Sequence, residues 1–326
     1  VFLQKNMKLN NKILWEKAKK IIPGGNGLLS KRPDRYASHL WPTYYEDSKG
    51  ILLTDLNGQK WKDFAQMGLG CAILGYNNKE LNNHVNKFIN KGINTTLNCP
   101  EEYLLAKKLL KINAFAEGVR FCRSGGEAMS IAVRIARAKT NTSKIAFSGY
   151  HGWHDWYLAT NLKDSKNLNN HLLAGLEPSG VPKGLAETVI PFNFNSCKDL
   201  EQVIKKKAKE CAAIIMEPAR NTLGCKSFLK SIRKIANENK CVLIFDEITC
   251  AWRNNSSGVH MDLGVYPDLA TFGKTMANGI PISALVGKKE IMEEAKNSFI
   301  SSTNWTERLG PACAVEFLKK HKKLNL

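Results

Sequence analysis

Lys274 follows a short apolar run, in Pro267-Asp-Leu-Ala-Thr-Phe-Gly-Lys274-Thr. Upstream, Val242-Leu-Ile-Phe-Asp246-Glu-Ile ends a second apolar run in a carboxylate. An amine and a carboxylate delivered by two strand ends are the pair that pyridoxal 5'-phosphate (PLP) chemistry requires. The amine forms the Schiff base that holds the cofactor and later moves protons. The carboxylate keeps the pyridine nitrogen protonated, so that the ring can accept electrons. Plainer readings exist for each alone, since a lone lysine is usually a solvated charge. Gly273-Lys274-Thr275 also resembles the tail of a P-loop, but that motif needs glycine at 268, where Asp268 stands.

Two further segments support the pair. Arg123-Ser124-Gly125-Gly126-Glu127-Ala128 joins a predicted strand to a predicted helix. Small residues there let backbone N–H groups approach an anion, and the helix N-terminus favours negative charge. Ser124, Gly125 and Gly126 are therefore candidates for a phosphate cup. Gly149-Tyr150-His151-Gly152-Trp153-His154-Asp155 follows the next strand. An aromatic ring there can stack on a planar cofactor, and Ile248 has the parity to supply an aliphatic contact on the other face. The histidines and Asp155 raise the thought of a metal, but no further ligands stand at usual spacings, and no metal is expected.

These residues need a scaffold. Residues 10–22 read as an amphipathic helix stopped by Pro23-Gly-Gly, and residues 51–64 as a β-hairpin turning at Asn57-Gly58. Helices are expected at 78–92, 101–112, 126–139, 198–210 and 227–239. Strands are expected at 118–122, 144–147, 188–191, 212–216, 241–245, 269–272 and 283–286. Alternation of strands and helices predicts an α/β fold with a mainly parallel seven-stranded sheet flanked by helices. Ligands of such sheets bind beyond the carboxyl ends of strands. Ser124, Glu217, Asp246 and Lys274 each follow a predicted strand, so all four should share one edge.

The composition narrows the function classes. A 43% apolar content over 326 residues supports a sizeable core. No run of about 18 apolar residues is present, so no membrane span is expected. The nine cysteines include no CxxC pair, which fits free thiols in a reducing cytoplasm. A net charge of +19 raises nucleic-acid binding. The lysines are dispersed, however, and aromatic residues do not interleave with the clusters at Lys205-Lys-Lys and Lys319-Lys-His-Lys-Lys. No nucleic-acid partner is expected.

The ordered set Ile22-Pro-Gly-Gly, Asp55-Leu-Asn-Gly, Ser124-Gly-Gly-Glu-Ala, Tyr150-His-Gly, Ser179-Gly-Val-Pro-Lys, Glu217-Pro, Asp246-Glu-Ile-Thr-Cys-Ala-Trp-Arg253 and Pro267-Asp-Leu-Ala-Thr-Phe-Gly-Lys274 resembles the class III aminotransferases of PLP fold type I. The resemblance is greatest to the glutamate-1-semialdehyde aminomutase branch. It implies Lys274 as the Schiff-base lysine and Asp246 as the partner of the pyridine nitrogen. It further implies Gly125 and Gly126 at the phosphate, Tyr150 on the ring, and Glu217 as an active-site carboxylate. Thr303, in Ser301-Ser-Thr303, matches a threonine that contacts phosphate in the neighbouring subunit, which implies a homodimer with shared sites. Ser30 and Arg32 match a segment that reaches the substrate carboxylate. The implied partners are a small-molecule amino donor and a carbonyl acceptor.

Departures bear on the substrate. The aminomutase usually has threonine where Gly126 stands, and a glycine-rich stretch where Thr275-Met-Ala-Asn-Gly stands. Asn304-Trp-Thr-Glu-Arg-Leu-Gly-Pro replaces a shorter segment after the trans threonine. These features look more like aminotransferases of the same branch, some of which act on sugars. The readings left open are an aminotransferase, a glutamate-1-semialdehyde aminomutase, and an incomplete PLP-binding fragment without activity. The family continues for about another hundred residues, an ordinary domain size, so the chain is expected to be truncated. The expected division is 1–65 as a small-domain segment, 66–310 as the PLP-binding domain and 311–326 as the start of a C-terminal small domain.

Overall fold

The computed structural model describes residues 10–37, 39–171, 175–220 and 222–325. They fall into two compact units, one up to Asn83 and one from His84 onward. In the first, helix Asn11–Ile21 is capped by Asn10, whose side chain accepts the Ile13 N–H at 2.8 Å. It ends as expected before Pro23, and Gly24 and Gly25 take φ of 74° and 79°. The expected hairpin is part of a three-stranded antiparallel sheet, β1 (Tyr45–Lys49), β2 (Leu52–Asp55) and β3 (Lys60–Lys62). Gly58 supplies the positive φ of 82° in the turn. Asp55 organises that turn by accepting Asn57 N–H, Gln59 N–H and Trp61 Nε1–H at 2.8–3.0 Å. Strand β1 escaped the sequence reading because Tyr45-Glu-Asp-Ser-Lys is polar and largely exposed, without alternation.

The second unit is built on β4 (Gly118–Cys122), β5 (Lys144–Ser148), β6 (Val189–Pro191), β7 (Cys211–Met216), β8 (Val242–Asp246), β9 (Leu269–Phe272) and β10 (Ser283–Gly287). All seven predicted strands are present, in the order β4-β10-β9-β8-β7-β5-β6. They were legible because β7 to β10 are buried at every position, and strands covered on both faces read as continuous apolar runs. Pairing is parallel except that β10 runs antiparallel to both neighbours. The reason lies in the β9–β10 connection, residues 273–282, which is shorter than a parallel crossover needs. That connection carries Lys274.

Helix Gly125–Thr140 covers one face of the sheet through Met129, Ile131, Val133 and Ile135, with alanines between them that let it lie close. Helices Cys197–Lys206 and Lys226–Glu238 cover the other face through Leu200, Ile204, Phe228 and Ile232. Truncating a fully buried side chain such as Phe245 to alanine would cost about 3–5 kcal/mol. Helix Cys197–Lys206 stops short of the expected 210, and Glu210 enters β7 through a φ of 65°. A final helix, Leu309–Leu324, packs on the second unit, with Cys313 Sγ donating to the Ala277 carbonyl at 3.4 Å. Among the described residues no helix is long and apolar enough to cross a membrane.

Candidate active site

Because β4, β5, β7, β8 and β9 all point the same way, their carboxyl ends meet at one edge. The turn after β4 is shaped by Ser124 and Glu127, a reciprocal capping box. Ser124 Oγ accepts the Glu127 N–H at 3.3 Å, and Glu127 Oε2 accepts the Ser124 and Arg123 N–H groups at 2.8 and 2.9 Å. This anchors the start of a 16-residue helix and leaves its first-turn N–H groups directed outward, a site for an anion. A side chain at either glycine would require a neighbour to shift. A Cβ on Gly125 would come within 2.9 Å of Ile248 Cδ1, and one on Gly126 within 2.9 Å of His154 Cδ2.

Ile248 occupies the middle of the site. Besides meeting Gly125, it lies 3.4 Å from where a Cβ on Gly273 would stand, just before Lys274. Its N–H donates to Asp246 Oδ1 at 3.1 Å. Asp246 is buried, and its Oδ2 lies 2.8 Å from His151 Nδ1. His151 Nε2 faces the Ser148 carbonyl at 3.2 Å. Thr271 Oγ1 donates to Asp246 Oδ1 at 3.4 Å.

Lys274 is half-buried and takes a φ of 34°, a left-handed backbone that costs a non-glycine residue energy. Its Nζ donates to Thr249 Oγ1 at 2.7 Å. The Thr249 carbonyl is held in turn by Arg253 Nε. Burial lowers the Lys274 pKa below its ordinary value, against the opposing charges of Asp246 and Glu217. More of the amine is therefore uncharged, the nucleophilic form, than in a surface lysine.

Glu217, at the end of β7, is buried. Its Oε2 accepts the Tyr150 N–H at 2.9 Å and pairs with Arg220 Nη1 at 2.8 Å. Among the described residues its Oε1 is buried without a partner. Burial, and then the charge of Asp246, raise its pKa. The Tyr150 ring lies 5.7 Å beneath the Arg220 guanidinium and edge-on to Tyr157 at 5.8 Å. Gly149, just before it, takes a φ of 117°, and a Cβ there would strike Glu217 Oε2 at 2.7 Å. His171 braces the same turn by accepting the Gly149 N–H at its Nδ1.

The edge thus brings together Ser124, Gly125, Gly126, Tyr150, Glu217, Asp246, Ile248 and Lys274. Thr303 is exposed, and among the described residues its recorded hydrogen bond runs from Asn94 Nδ2 to its carbonyl at 3.5 Å, with none to the glycine turn. Ser30 and Arg32 belong to the first unit. There the Ser30 carbonyl accepts Tyr36 OH at 2.8 Å, and Arg32 Nε is buried without a partner among the described residues. His151, Thr249 and Arg220 were not singled out as site residues. Each stands in or beside a quoted motif, but the roles of His151 and Thr249 depend on Asp246 and Lys274, distant in sequence, and Arg220 pairs with Glu217 only through the direction its turn gives it. Separately, a hollow of about 510 Å³ lies on the outer face of helix Gly125–Thr140, between Arg134, Arg137 and Trp153.

Residues 35–326 match the family Aminotransferase class-III. The chain is 33% identical over 324 residues to a 3-aminobutyryl-CoA aminotransferase of Cloacimonas acidaminovorans, covering 96% of this chain and 74% of that protein. It is 35% identical over 293 residues to a glutamate-1-semialdehyde 2,1-aminomutase of Methanocaldococcus jannaschii, covering 87% and 66%. Among solved structures, the PLP internal aldimine form of FumI from Sphingopyxis sp. MTA144 superposes with a TM-score of 0.83 at 25% identity, covering 96% and 73%. An omega-transaminase from Sphaerobacter thermophilus gives 0.82, also at 25% identity, covering 95% and 72%. The chain belongs to the class III aminotransferase family, enzymes that use pyridoxal phosphate to move amino groups.

The residues at the strand edge fit that cofactor. A glycine cup at a helix N-terminus suits a phosphate, and a buried carboxylate suits a ring nitrogen. A half-buried lysine with a lowered pKa suits an aldehyde.

Proposed function

We propose that the chain moves an amino group between a small-molecule donor and an aldehyde or ketone acceptor, with Lys274 as the amine that takes the cofactor. The observation that carries this reading is the convergence of Lys274, Asp246 and the Gly125-Gly126 turn around Ile248. The bound cofactor supplies an electron sink that makes the substrate's α-proton acidic. Lys274 Nζ, held by Thr249, is placed to accept that proton and return it. Asp246, steadied by His151 and the Ile248 N–H, holds positive charge at the ring nitrogen. Tyr150 provides a flat face on one side and Ile248 an aliphatic one on the other. The first-turn N–H groups at Gly125 and Gly126 hold the phosphate.

The same reading makes the protein a homodimer in which Thr303 reaches the phosphate of the neighbouring subunit. The exposed position of Thr303 supports this, since the side chain is available to another chain. Ser30 and Arg32 would contact the substrate carboxylate. Residues 66–310 would carry the cofactor, with 1–65 and 311–326 contributing to a smaller domain. All nine cysteines stand as thiols outside any disulfide, which supports a reducing, cytoplasmic setting.

Intramolecular aminomutation is the second reading, favoured by the 35% identity to an aminomutase. It uses the same groups and differs in whether the oxidised intermediate stays bound. The test is to incubate the PLP-loaded protein with a panel of amino donors and, separately, with glutamate-1-semialdehyde. Bleaching of the cofactor band by a donor with release of a carbonyl product supports aminotransfer. Formation of 5-aminolevulinate without carbonyl release supports aminomutation, and no change with any substrate overturns both.

A further inference from the structure

We infer that His321 is a positioning residue for the reacting amine: through the Trp252 carbonyl it sets where Thr249 holds Lys274 Nζ. The inference rests on the reading of Lys274 as the amine that takes the cofactor, and it adds a brace behind that amine. The brace begins with a spacing. Cys313, Phe317 and His321 recur at every fourth position of helix Leu309–Leu324 and so share one face. All three are buried, His321 to 1% exposure.

That face grips both segments that the Lys274–Thr249 hydrogen bond joins. Cys313 Sγ donates to the carbonyl of Ala277, at the end of the short turn that Lys274 opens. The Phe317 ring meets the Trp252 ring edge-on at 6.1 Å. His321 Nε2 lies 3.0 Å from the Trp252 carbonyl oxygen, which can only accept, so Nε2 carries the proton. The Trp252 N–H donates to the Ser257 carbonyl at 2.8 Å, so the backbone of this residue is held on both sides. Next to it, the Ala251 carbonyl accepts Thr275 Oγ1 at 3.3 Å, and Arg253 Nε donates to the Thr249 carbonyl. Thr249 Oγ1 then accepts Lys274 Nζ at 2.7 Å, which completes a continuous path from the helix to the amine.

Backbone conformation points the same way. Trp252 takes a φ of 59° and Lys274 one of 34°. Left-handed conformations cost non-glycine residues free energy, bulky ones most, and persist where the surroundings over-determine them. Trp252 is 1% exposed, and its ring packs against Phe272 at 5.2 Å as well as Phe317. Phe272 ends β9, directly before Gly273-Lys274. Packing alone would ask only for apolar side chains on this face of the helix. A buried imidazole costs free energy unless it is hydrogen-bonded, and here its bond fixes the direction of one carbonyl. Without that bond the strained Trp252 peptide could turn, and Thr249 would move with it. Small displacements of a reacting group cost rate steeply.

The test measures how fast cofactor-free protein captures added PLP, followed as growth of the bound-cofactor band. His321→Phe keeps the ring and its packing but has no donor, and should slow capture about 3- to 10-fold, the ratio for one hydrogen bond. His321→Gln keeps a donor at similar reach and should lie closer to the wild type, and the reverse order would overturn the inference. The decisive arm is a double-mutant cycle with Thr249→Val. If His321 acts through Thr249, adding His321→Phe to Thr249→Val should slow capture by less than about twofold more, whereas independent, multiplying losses would overturn the inference. Leu200→Ala, in the helix on the opposite face of the sheet, controls for lost stability. Urea unfolding should show both single variants destabilised, with capture slowed only in His321→Phe, and equal slowing in Leu200→Ala would make the effect structural and overturn the inference. Should His321→Phe fail to fold, Trp252→Phe enters the same cycle and is judged by the same criterion. No capture by the wild type would overturn the aminotransfer reading and the brace together, while capture that His321→Phe leaves unchanged would overturn the brace alone.

Discussion

Asp246 Oδ2 and His151 Nδ1 lie 2.8 Å apart with both side chains buried, joining the end of β8 to the turn after β5. An ionised carboxylate only accepts, so the hydrogen bond runs from Nδ1–H to Asp246 and fixes the plane of the carboxylate. In the proposed function His151 would act on the cofactor through Asp246, as a positioning residue. Asp246→Asn should retain some cofactor but raise the barrier to amino transfer by about 2–4 kcal/mol, the loss of one preorganised electrostatic group. His151→Phe should cost less, about 1.5–3 kcal/mol for a hydrogen bond to a charged group, and leave cofactor attachment to Lys274 in place. The cofactor's absorbance spectrum and the single-turnover rate check both. Unaltered turnover in Asp246→Asn would assign the ring nitrogen to another residue.

Lys274→Ala should abolish covalent attachment and turnover while sparing the fold, because the side chain acts by chemistry and is only half-buried. The lowered Lys274 pKa adds a pH signature. Capture of added PLP by the apo protein should rise with pH and level off below the ordinary lysine value of 10.5. Glu217→Gln should shift that midpoint further down, since removing a nearby negative charge disfavours the ammonium. A midpoint at or above 10.5 would contradict the geometry.

His171 makes stability depend on pH. Burial pulls its pKa down from 6.5 to about 4, helped by His151 and Arg220, and its Nδ1 accepts the Gly149 N–H. The unfolded chain therefore binds more protons than the native one between these values. Stability is full above the unfolded pKa and is lost as pH falls through the window from 6.5 toward 4. The full loss is on the order of 3 kcal/mol. His171→Gln keeps an acceptor for Gly149 without the titration, and should flatten that part of the profile in urea unfolding. A wild-type profile already flat there would refute the assignment.

Thr303 tests the shared site. If it reaches phosphate across the dimer, PLP should stabilise the assembled state, since a ligand that binds only the dimer shifts the equilibrium toward it. Thr303→Ala should then weaken PLP affinity and dimerisation together, whereas Lys274→Ala should spare dimerisation. Sedimentation with and without PLP measures this. A monomer that binds PLP as tightly as the dimer would exclude the shared arrangement.

What could be read from the residues alone is what depends on local pattern. Strands β7 to β10 announce themselves because burial on both faces demands unbroken apolar runs. Ser124 and Glu127 announce a helix start because a capping box needs only a three-residue spacing. Lys274 and Asp246 could be paired because both follow strands and ligands gather at strand ends. The reversed direction of β10 had no such local mark, since a buried strand has the same composition either way round. It was settled by a connection too short for a crossover, and it is this connection that carries Lys274 to Thr249. The roles of His151, Thr249 and Arg220 likewise belong to the tertiary structure alone. Asp246 and Lys274, the partners of His151 and Thr249, are close to them in space because strands distant in sequence are neighbours in the sheet. In the case of Arg220, only three residues from Glu217, the closed turn after β7 decides which way the guanidinium faces.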